Sequence, residues 1–245
     1  MLSEADLIFP DWPAPANVRT LQTTRNGGLS QGSYASLNLG DHVGDDAMAV
    51  AANRQLLSPF LPTEPVWMRQ VHGTKVVDAG QASCLPEADA AFARTSETVC
   101  CVMTADCLPV LLCDRAGTVV AAVHAGWRGL LNGVIEAAVA TMQIAPQDLL
   151  VWLGPAIGPE AFEVGTEVRD AFIGKDGAAQ SAFLPHGEKW LANIYLLATQ
   201  RLQAMGVTGI YGGTYCTYTE PRRFYSYRRD QNTGRMASLI WLSQK

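Results

Sequence analysis

Two histidines and one cysteine are the residues of this sequence best suited to chemistry. His72 and His124 each come at the end of an apolar run, with a glycine one and two residues further on, and Cys107 lies at a turn between two apolar runs. Two imidazoles and one thiolate are three ligands for zinc, and a fourth position left to water is typical of a catalytic zinc site. The three residues are separated by 35 and 17 positions, which fits no compact metal-binding motif. They are therefore equally consistent with two hydrogen-bonded loop histidines and a core cysteine.

The neighbours of these residues offer further functional groups. Asp106 could accept a hydrogen bond from a ligand imidazole, act as a general base, or cap a turn. Cys107 could instead be a nucleophile, with His124 or His72 as its base and no metal. Arg128 begins a predicted helix, where an anion would also meet free backbone N–H groups.

Near the C-terminus, four arginines concentrate positive charge among aromatic side chains. They are Arg222, Arg223, Arg228 and Arg229. Guanidinium groups bind phosphate and carboxylate through two parallel hydrogen bonds, so this segment could hold either anion. A solvated loop with cation–π contacts is the alternative interpretation.

Short strands and a few helices must position these groups. Apolar runs rich in β-branched residues predict strands, and amphipathic spacing beside capping residues predicts helices. The predicted strands are 18–24, 66–71, 75–78, 99–103, 108–113, 118–123, 149–153 and 237–242, with a turn at 114–117. The predicted helices are 47–57 behind Asp45 or Asp46, one that starts just after Trp127 and stops before Pro146, and one from Asn193 to about Met205. Strands and helices mixed without a strict βαβ rhythm indicate an α+β fold.

Composition excludes several classes of protein. The 245 residues carry a formal net charge of −5 and are 48% hydrophobic, which suits a sizeable core and not a disordered chain. No run approaches the roughly 20 apolar residues of a membrane helix, and the acidic balance disfavours nucleic acid or an anionic membrane as partner. The acidic N-terminus does not resemble a signal peptide, so we expect six reduced cysteines and a cytoplasmic location. We also expect a single domain over residues 1–245, since no linker or repeat divides it.

Seven short motifs, in order along the chain, resemble those of the YfiH family, also called the laccase-domain, polyphenol oxidase or purine nucleoside phosphorylase family. The motifs are 38–45, 69–73, 104–110, 122–129, 154–158, 224–230 and 233–237. The resemblance runs from about residue 18 to the C-terminus. An ordered series of this kind is far more specific than any one motif.

This resemblance implies a layered α/β/β/α fold related to cysteine-hydrolase-like domains. It implies a bound zinc, or copper in some accounts, held by His72, Cys107 and His124. The implied activity is phosphorolysis of adenosine, inosine, guanosine and methylthioadenosine, together with deamination of adenosine. Some bacterial members are instead described as peptidoglycan-editing factors that remove a wrong amino acid from a UDP-muramyl precursor.

We therefore expect a zinc-dependent purine nucleoside phosphorylase that acts on small molecules, with its oligomeric state left open. Cys107, His124 and Asp106 are the candidate catalytic residues. Phosphorolysis requires a phosphate beneath the anomeric carbon of the sugar, and an arginine is the side chain best suited to hold it. The candidate substrate-binding residues are Arg54, Arg128, Arg228 and Arg229.

Three other functions stay open at this point. A copper polyphenol oxidase is disfavoured, because one blue-copper site uses two of the four histidines and leaves too few for a separate three-copper cluster. A laccase-like oxidase would therefore have to work with a single copper ion. Hydrolysis of a cell-wall precursor would suit either a zinc-activated water or a Cys107 nucleophile. A binding module without catalysis is the last alternative, although it would not need a thiol and imidazoles at strand ends.

Overall fold

The computed structural model describes residues 2–82 and 84–244. The strands are β1 (Leu7–Ile8), β2 (Val18–Thr23), β3 (Val76–Asp78), β4 (Ala90–Ala93), β5 (Cys100–Thr104), β6 (Leu108–Asp114), β7 (Val120–Ala125), β8 (Leu149–Leu153), β9 (Glu163–Val164), β10 (Phe183–His186), β11 (Lys189–Ala192), β12 (Gly209–Gly212) and β13 (Met236–Leu242). The α-helices are α1 (Ala47–Leu56), α2 (Trp127–Asn132), α3 (Val134–Met142), α4 (Thr166–Lys175), α5 (Ile194–Ala204) and α6 (Tyr227–Asp230).

Two mixed or antiparallel sheets form the centre of the fold. The larger has six strands in the order β12-β8-β6-β7-β4-β3, and the second has four in the order β1-β2-β13-β5. Within the larger sheet, β12 runs parallel to β8 and β3 parallel to β4, while the remaining pairs are antiparallel. A small third sheet joins β10, β11 and β9.

Strand β6 shows how the layers are built. Successive side chains of a strand point to opposite faces. Val110 and Leu112 pack in the core that contains residues of α3 and α5, whereas Leu111 and Cys113 pack against residues of β5 and β13. A further apolar cluster lies on the far side of the four-stranded sheet and includes Leu57, where α1 ends. The layers are thus helix, sheet, sheet and helix, which confirms the predicted α+β class.

Most predicted elements are present. Seven of the eight predicted strands coincide with an observed strand to within two residues. Helix α1 begins after Asp46, whose side chain accepts a hydrogen bond from the N–H of Met48 at 2.7 Å. Helix α5 begins after Asn193, whose side chain caps it in the same way.

Two element predictions are wrong. The segment 66–71 forms no strand and makes only single bridges, from Val66 to Cys100 and from Arg69 to Glu87. The helix predicted to start just after Trp127 and stop before Pro146 is broken at Gly133, which lies in the left-handed region with φ 97° and ψ 34°. Glycine adopts this conformation without a Cβ clash, so the apolar periodicity continues across two helices instead of one.

Two expectations concern the chain as a whole. None of the described helices is long and apolar enough to cross a lipid bilayer. The single domain over residues 1–245 stays a prediction.

Candidate metal centre

His124 lies in strand β7 and is held by a buried carboxylate. Its side chain is 3% exposed, and its Nδ1 lies 2.8 Å from Oδ1 of Asp89. The backbone reinforces this contact, because the N–H of His124 donates to the carbonyl of Asp89 at 2.7 Å. With Nδ1 on the carboxylate, the other ring nitrogen, Nε2, is left to act as a ligand.

The same aspartate also holds the turn that carries His72. The backbone N–H groups of Val71, His72 and Gly73 donate to the carboxylate of Asp89 at 3.2, 2.9 and 2.7 Å. His72 has a φ of 59°, a left-handed conformation that is uncommon outside glycine. The converging bonds to Asp89, which is fully buried, offset the cost of that conformation.

Cys107 completes the cluster from the start of β6. It follows Asp106, another residue with positive φ, at 84°. Its Sγ lies 3.7 Å from Nε2 of His72. The rings of His72 and His124 meet edge to face with centroids 4.8 Å apart. Three side chains from three separate segments thus converge at one point.

The geometry of this cluster fits a metal ion. Its three donor atoms all lie within 4.8 Å of one another. A tetrahedral ion with metal–nitrogen and metal–sulfur bonds of about 2.0 and 2.3 Å holds its nitrogen and sulfur ligands roughly 3.6 Å apart. A Cβ on Gly126 would lie 2.8 Å from Cδ2 of His72 and 2.9 Å from Sγ of Cys107. The glycine therefore leaves space at the donor atoms, and a nitrogen and sulfur donor set suits zinc or copper.

The electrostatics of the cluster favour the thiolate form of Cys107. Burial alone would raise the pKa of the Cys107 thiol, but the two imidazoles lower it below its ordinary value. Burial would likewise lower the pKa of His124, but Cys107 and Asp89 raise it above its ordinary value. The pKa of Asp89 is lowered, because hydrogen bonds from His124 and the 71–73 backbone outweigh its burial. In the metal-free protein, these shifts favour a thiolate, which is the form of cysteine that binds metals.

The cluster lies in a cavity of about 570 Å³. This volume is within the usual range of about 300–1,000 Å³ for small-molecule sites. The lining combines aromatic rings, arginines and the three donor residues. The lining residues are His42, Gln70, His72, Met103, Thr104, Ala105, Asp106, Cys107, His124, Trp127, Arg128, Ile157, Phe162, Tyr227, Arg228 and Arg235.

Of the four arginines predicted to bind substrate, two line this cavity. Arg128 stacks on the ring of Trp127, with Cζ 4.2 Å from the ring centroid. Arg228 lies near the ring of Phe162, at 5.7 Å, and its Nη1 donates to the carbonyl of Glu163. Both side chains are exposed at the cavity.

The other two arginines that were predicted to bind substrate, Arg54 and Arg229, do not line the cavity. Arg54 donates twice to the carbonyl of Leu39, pairs with Asp41 at 3.3 Å and covers the ring of Trp67. Arg229 donates to three backbone carbonyls between residues 217 and 224 and pairs with Asp230. Both guanidinium groups therefore hold the fold together at their own positions.

Asp106 lines the cavity, but both of its carboxylate oxygens are already bonded. Oδ1 accepts from the hydroxyl of Thr217 at 2.6 Å, and Oδ2 accepts from the backbone N–H of Arg228 at 2.6 Å. These bonds tie the start of β6 to the C-terminal segment that carries Arg228. Because both of its oxygens are bonded, Asp106 is better suited to a structural role than to acting as a general base.

Sequence reasoning missed Asp89, His42, Gln70 and Arg235. Asp89 is one acid between alanines just before an apolar strand, and a buried acid in that setting was the available signal. Gln70 pins its segment to β5 through two hydrogen bonds with the backbone of Met103. His42 lies at the cavity with its side chain about half exposed.

The fold and the histidine–cysteine–histidine site together define a class of protein. Comparisons with known proteins show which family this is. A family model described as "Multi-copper polyphenol oxidoreductase laccase" matches residues 19–243. The chain therefore belongs to this family.

Particular relatives agree with this assignment. "Purine nucleoside phosphorylase YfiH" of Shigella flexneri is 56% identical over 239 residues, which cover 96% of this chain and 98% of that protein. The protein of the same name from Escherichia coli is also 56% identical over the same shares. The crystal structure of Neisseria meningitidis protein NMB0706 superposes with a TM-score of 0.94 at 53% identity, covering 98% of this chain and 100% of that one.

Proposed function

We propose that this chain is a zinc-dependent purine nucleoside phosphorylase whose metal is held by His72, Cys107 and His124. The observation that carries the proposal is the convergence of these three donors at one point in a cavity of nucleoside size. Relatives that are 56% identical over nearly the whole chain carry the name of this activity. Adenosine, inosine, guanosine and methylthioadenosine are the proposed substrates, and adenosine deamination is a proposed second activity.

The reaction exchanges one bond at the anomeric carbon of the ribose. The bond from C1′ to the purine nitrogen breaks and its electron pair leaves with the base, while a phosphate oxygen forms the new bond to C1′. The products are the free purine, which takes up a proton, and ribose 1-phosphate. A bound zinc would supply positive charge and could activate a water molecule, which is the chemistry needed for deamination.

The residues of the chain bind and orient the substrate. The rings of Trp127, Phe162 and Tyr227 line the cavity and are suited to stack against a purine. Arg128 and Arg228 supply positive charge at the same cavity and are the proposed substrate-binding arginines. Asp89 fixes the orientation of both histidines through its contacts with His124 and with the 71–73 backbone.

Asp106 is better suited to positioning than to moving a proton. Its two carboxylate oxygens hold Thr217 and the backbone of Arg228, so it sets where the Arg228 side chain begins. Because Cys107, His124 and His72 would hold the metal, the cavity groups left for proton transfer are the His42 imidazole and the Tyr227 hydroxyl, together with any water bound by the metal.

Hydrolysis of a UDP-muramyl precursor is the alternative use of the same site, and no feature of the cavity favours it over a nucleoside. The oxidase alternative is weaker. Among the described residues, each of the two histidines outside the cluster has one acidic neighbour: His42 lies 3.4 Å from Asp41 and His186 lies 3.7 Å from Glu163. In the described residues, no second group of three histidine, cysteine or acidic side chains comes together.

The direct test is incubation of the purified protein with inosine and inorganic phosphate. We expect hypoxanthine and ribose 1-phosphate in equal amounts, with the activity lost on chelation and restored by zinc. Adenosine and a UDP-muramyl substrate are assayed in parallel, with Cys107→Ala as the control. Hypoxanthine formation no higher than in that control would overturn the proposal, and ammonia release from adenosine alone would restrict it to deamination.

A further inference from the structure

The motifs at 38–45 and 233–237 receive no role from the metal site, yet the fold joins them at one buried residue. Asn38 is fully buried. Its Oδ1 accepts from the backbone N–H groups of Gly40 and Arg235, both at 2.9 Å. Its Nδ2 donates to the carbonyl of Gly40 and to the carboxylate of Asp45. The loop that carries His42 is thus fixed beside Arg235.

Arg235 is packed more tightly than a surface arginine. A Cβ on Gly40 would lie 2.8 Å from Cγ of Arg235, so the glycine backbone lies directly on the arginine stem. Nη1 of Arg235 donates to the carbonyls of Thr233 and Gly234, both at 3.0 Å. Its Cζ lies 6.0 Å from the centroid of the Tyr227 ring. The side chain is therefore held in one place before any ligand arrives.

Among the described residues, the guanidinium of Arg235 keeps N–H donors that make no hydrogen bond and a charge that no carboxylate pairs with. Within residues 2–82 and 84–244, its hydrogen bonds leave only from Nη1, and no carboxylate comes within ion-pair distance. By contrast, Arg54 and Arg229 are each paired with a carboxylate. Burial lowers the pKa of Arg235, and the negative charges of Cys107 and Asp106 oppose this effect. Arg235 therefore stays cationic close to the metal cluster.

Arg235 and His42 also connect two hollows. Both residues line the main cavity, and together with Tyr227 they line a neighbouring hollow of about 400 Å³. A ligand in the main cavity can therefore reach both the guanidinium and the imidazole. Among the three arginines of the cavity, Arg235 is the half-buried one, whereas Arg128 and Arg228 are exposed. Charge-assisted hydrogen bonds from a half-buried and pre-positioned donor contribute more than those from an exposed one.

We propose that Arg235 and His42 form an oxyanion subsite that holds a phosphoryl group beside the metal cluster. A guanidinium offers parallel N–H donors that match two phosphate oxygens, and an imidazole offers one further donor. The identification of the ligand as phosphate rests on the proposed phosphorolysis. The same phosphoryl chemistry could come from inorganic phosphate, from ribose 1-phosphate or from the diphosphate of a UDP-sugar, and the experiment separates these sources.

The test measures equilibrium binding of each of the three ligands to the zinc-loaded protein by calorimetry. Arg235→Gln removes the charge, Arg235→Lys keeps the charge but loses the paired donors, and His42→Gln removes the imidazole. The bond to Asn38 comes from the backbone of residue 235, so it survives these changes. Arg222→Gln is the matched control, because Arg222 is exposed and its side chain makes no hydrogen bond or ion pair among the described residues.

We expect Arg235→Gln to weaken phosphate binding by about 10–100-fold, with Arg235→Lys intermediate and His42→Gln smaller. Zinc content should stay at the wild-type value, whereas the midpoint of thermal unfolding should fall slightly in the Arg235 variants, because the contacts with the carbonyls of Thr233 and Gly234 are lost. Phosphate binding that is equal in wild type, Arg235→Gln and His42→Gln would overturn the subsite, as would the absence of binding by all three ligands.

The outcome also separates this subsite from the proposed function. If phosphate binds through Arg235 but inosine is not cleaved, the subsite stands and the phosphorolysis fails. If only the UDP-sugar depends on Arg235, the subsite again stands and the substrate class changes. If inosine is cleaved with no contribution from Arg235 or His42 to phosphate binding, the function stands and the subsite fails.

Discussion

The two ends of strand β6 carry the same two residue types, but only one end lines the cavity. Asp106 and Cys107 precede the strand, and Cys113 and Asp114 end it. At the first end, burial would raise the pKa of the Cys107 thiol, but the two imidazoles outweigh this effect and lower it. At the second end, burial and the adjacent Asp114 raise the pKa of Cys113 to about 12. One thiol is prepared for ligation and the other is an inert core residue.

The two aspartates differ in the sequence distance of their partners. Asp114 accepts from the N–H groups of Thr118 and Val119 and from the hydroxyl of Thr118, all within five residues. Asp106 accepts from Thr217 and Arg228, which are 111 and 122 residues away. The first aspartate closes a turn and the second fastens two distant parts of the chain. A site at a strand end is thus distinguished by long-range partners and not by residue type.

Exchanging the two cysteines for alanine tests the contrast most strongly. Cys107→Ala removes a donor atom, so we expect loss of zinc and of phosphorolysis by more than the roughly 10–100-fold that the loss of an outer hydrogen-bond partner costs. Cys113→Ala should keep zinc and activity and lose about 1–2 kcal/mol of stability, because it removes a buried sulfur from the core. Metal analysis, hypoxanthine release and chemical denaturation measure the three effects. Equal zinc content in both variants would contradict the assignment of Cys107.

Asp89 and Asp114 provide the second contrast, since both are buried carboxylates that accept backbone N–H groups. Only Asp89 also accepts from a histidine ring. In Asp89→Asn, the amide nitrogen must face either backbone donors or the imidazole, so we expect zinc affinity to fall about 10–100-fold. Asp114→Asn should lose stability without losing affinity. Competition with a chelator measures the affinity directly, and equal zinc affinity in the two variants would show that Asp89 has no role in positioning the ligands.

Asp106 gives a smaller effect that separates two roles. If it fastens the C-terminal segment, Asp106→Asn keeps both contacts, because the amide oxygen accepts from Arg228 and the amide nitrogen donates to the hydroxyl of Thr217. We then expect kcat within about 10-fold of wild type, whereas loss of a general base typically costs about 10²–10⁴-fold. Asp106→Ala breaks both contacts and should raise KM. Steady-state kinetics on inosine and phosphate decide between the two roles, and a kcat lowered by about 10²-fold or more in both Asp106→Asn and Asp106→Ala would assign proton transfer to Asp106.

The same contrast explains how much could be predicted from the sequence. The turn at 114–117 and the cap of α1 by Asp46 depend on partners within a few residues, and both were predictable from local patterns. The strands around Cys107 were predictable because both of their faces are buried and their apolar runs are continuous.

Long-range contacts account for what could not be predicted. The three donors meet only because β6 and β7 are neighbours and Asp89 draws the 71–73 turn toward β7. The spacing of the three donors along the sequence does not indicate that they meet. The prediction of the metal site therefore depended on the resemblance to a family. Arg54 and Arg229 were plausible from charge alone, but their guanidinium groups are taken up by partners distant from the cavity.

The pH dependence of stability gives the smallest expected effect and concerns the end of β6 away from the metal. Burial alone would raise the pKa of Asp114, but its hydrogen bonds from Thr118 and Val119 lower it below the ordinary value. A carboxyl with a lower pKa in the folded state stabilises the protein above the pKa of the unfolded chain, about 3.9, and loses this contribution as pH falls through the folded value. We therefore expect wild type to exceed Asp114→Asn by about 1–3 kcal/mol near neutral pH, with a difference that narrows below about pH 4. Urea denaturation of both proteins between pH 3 and 7 measures it. A difference that stays constant over that range would mean that the charge of Asp114 contributes nothing to the turn, and both ends of β6 would then depend on hydrogen-bond geometry alone.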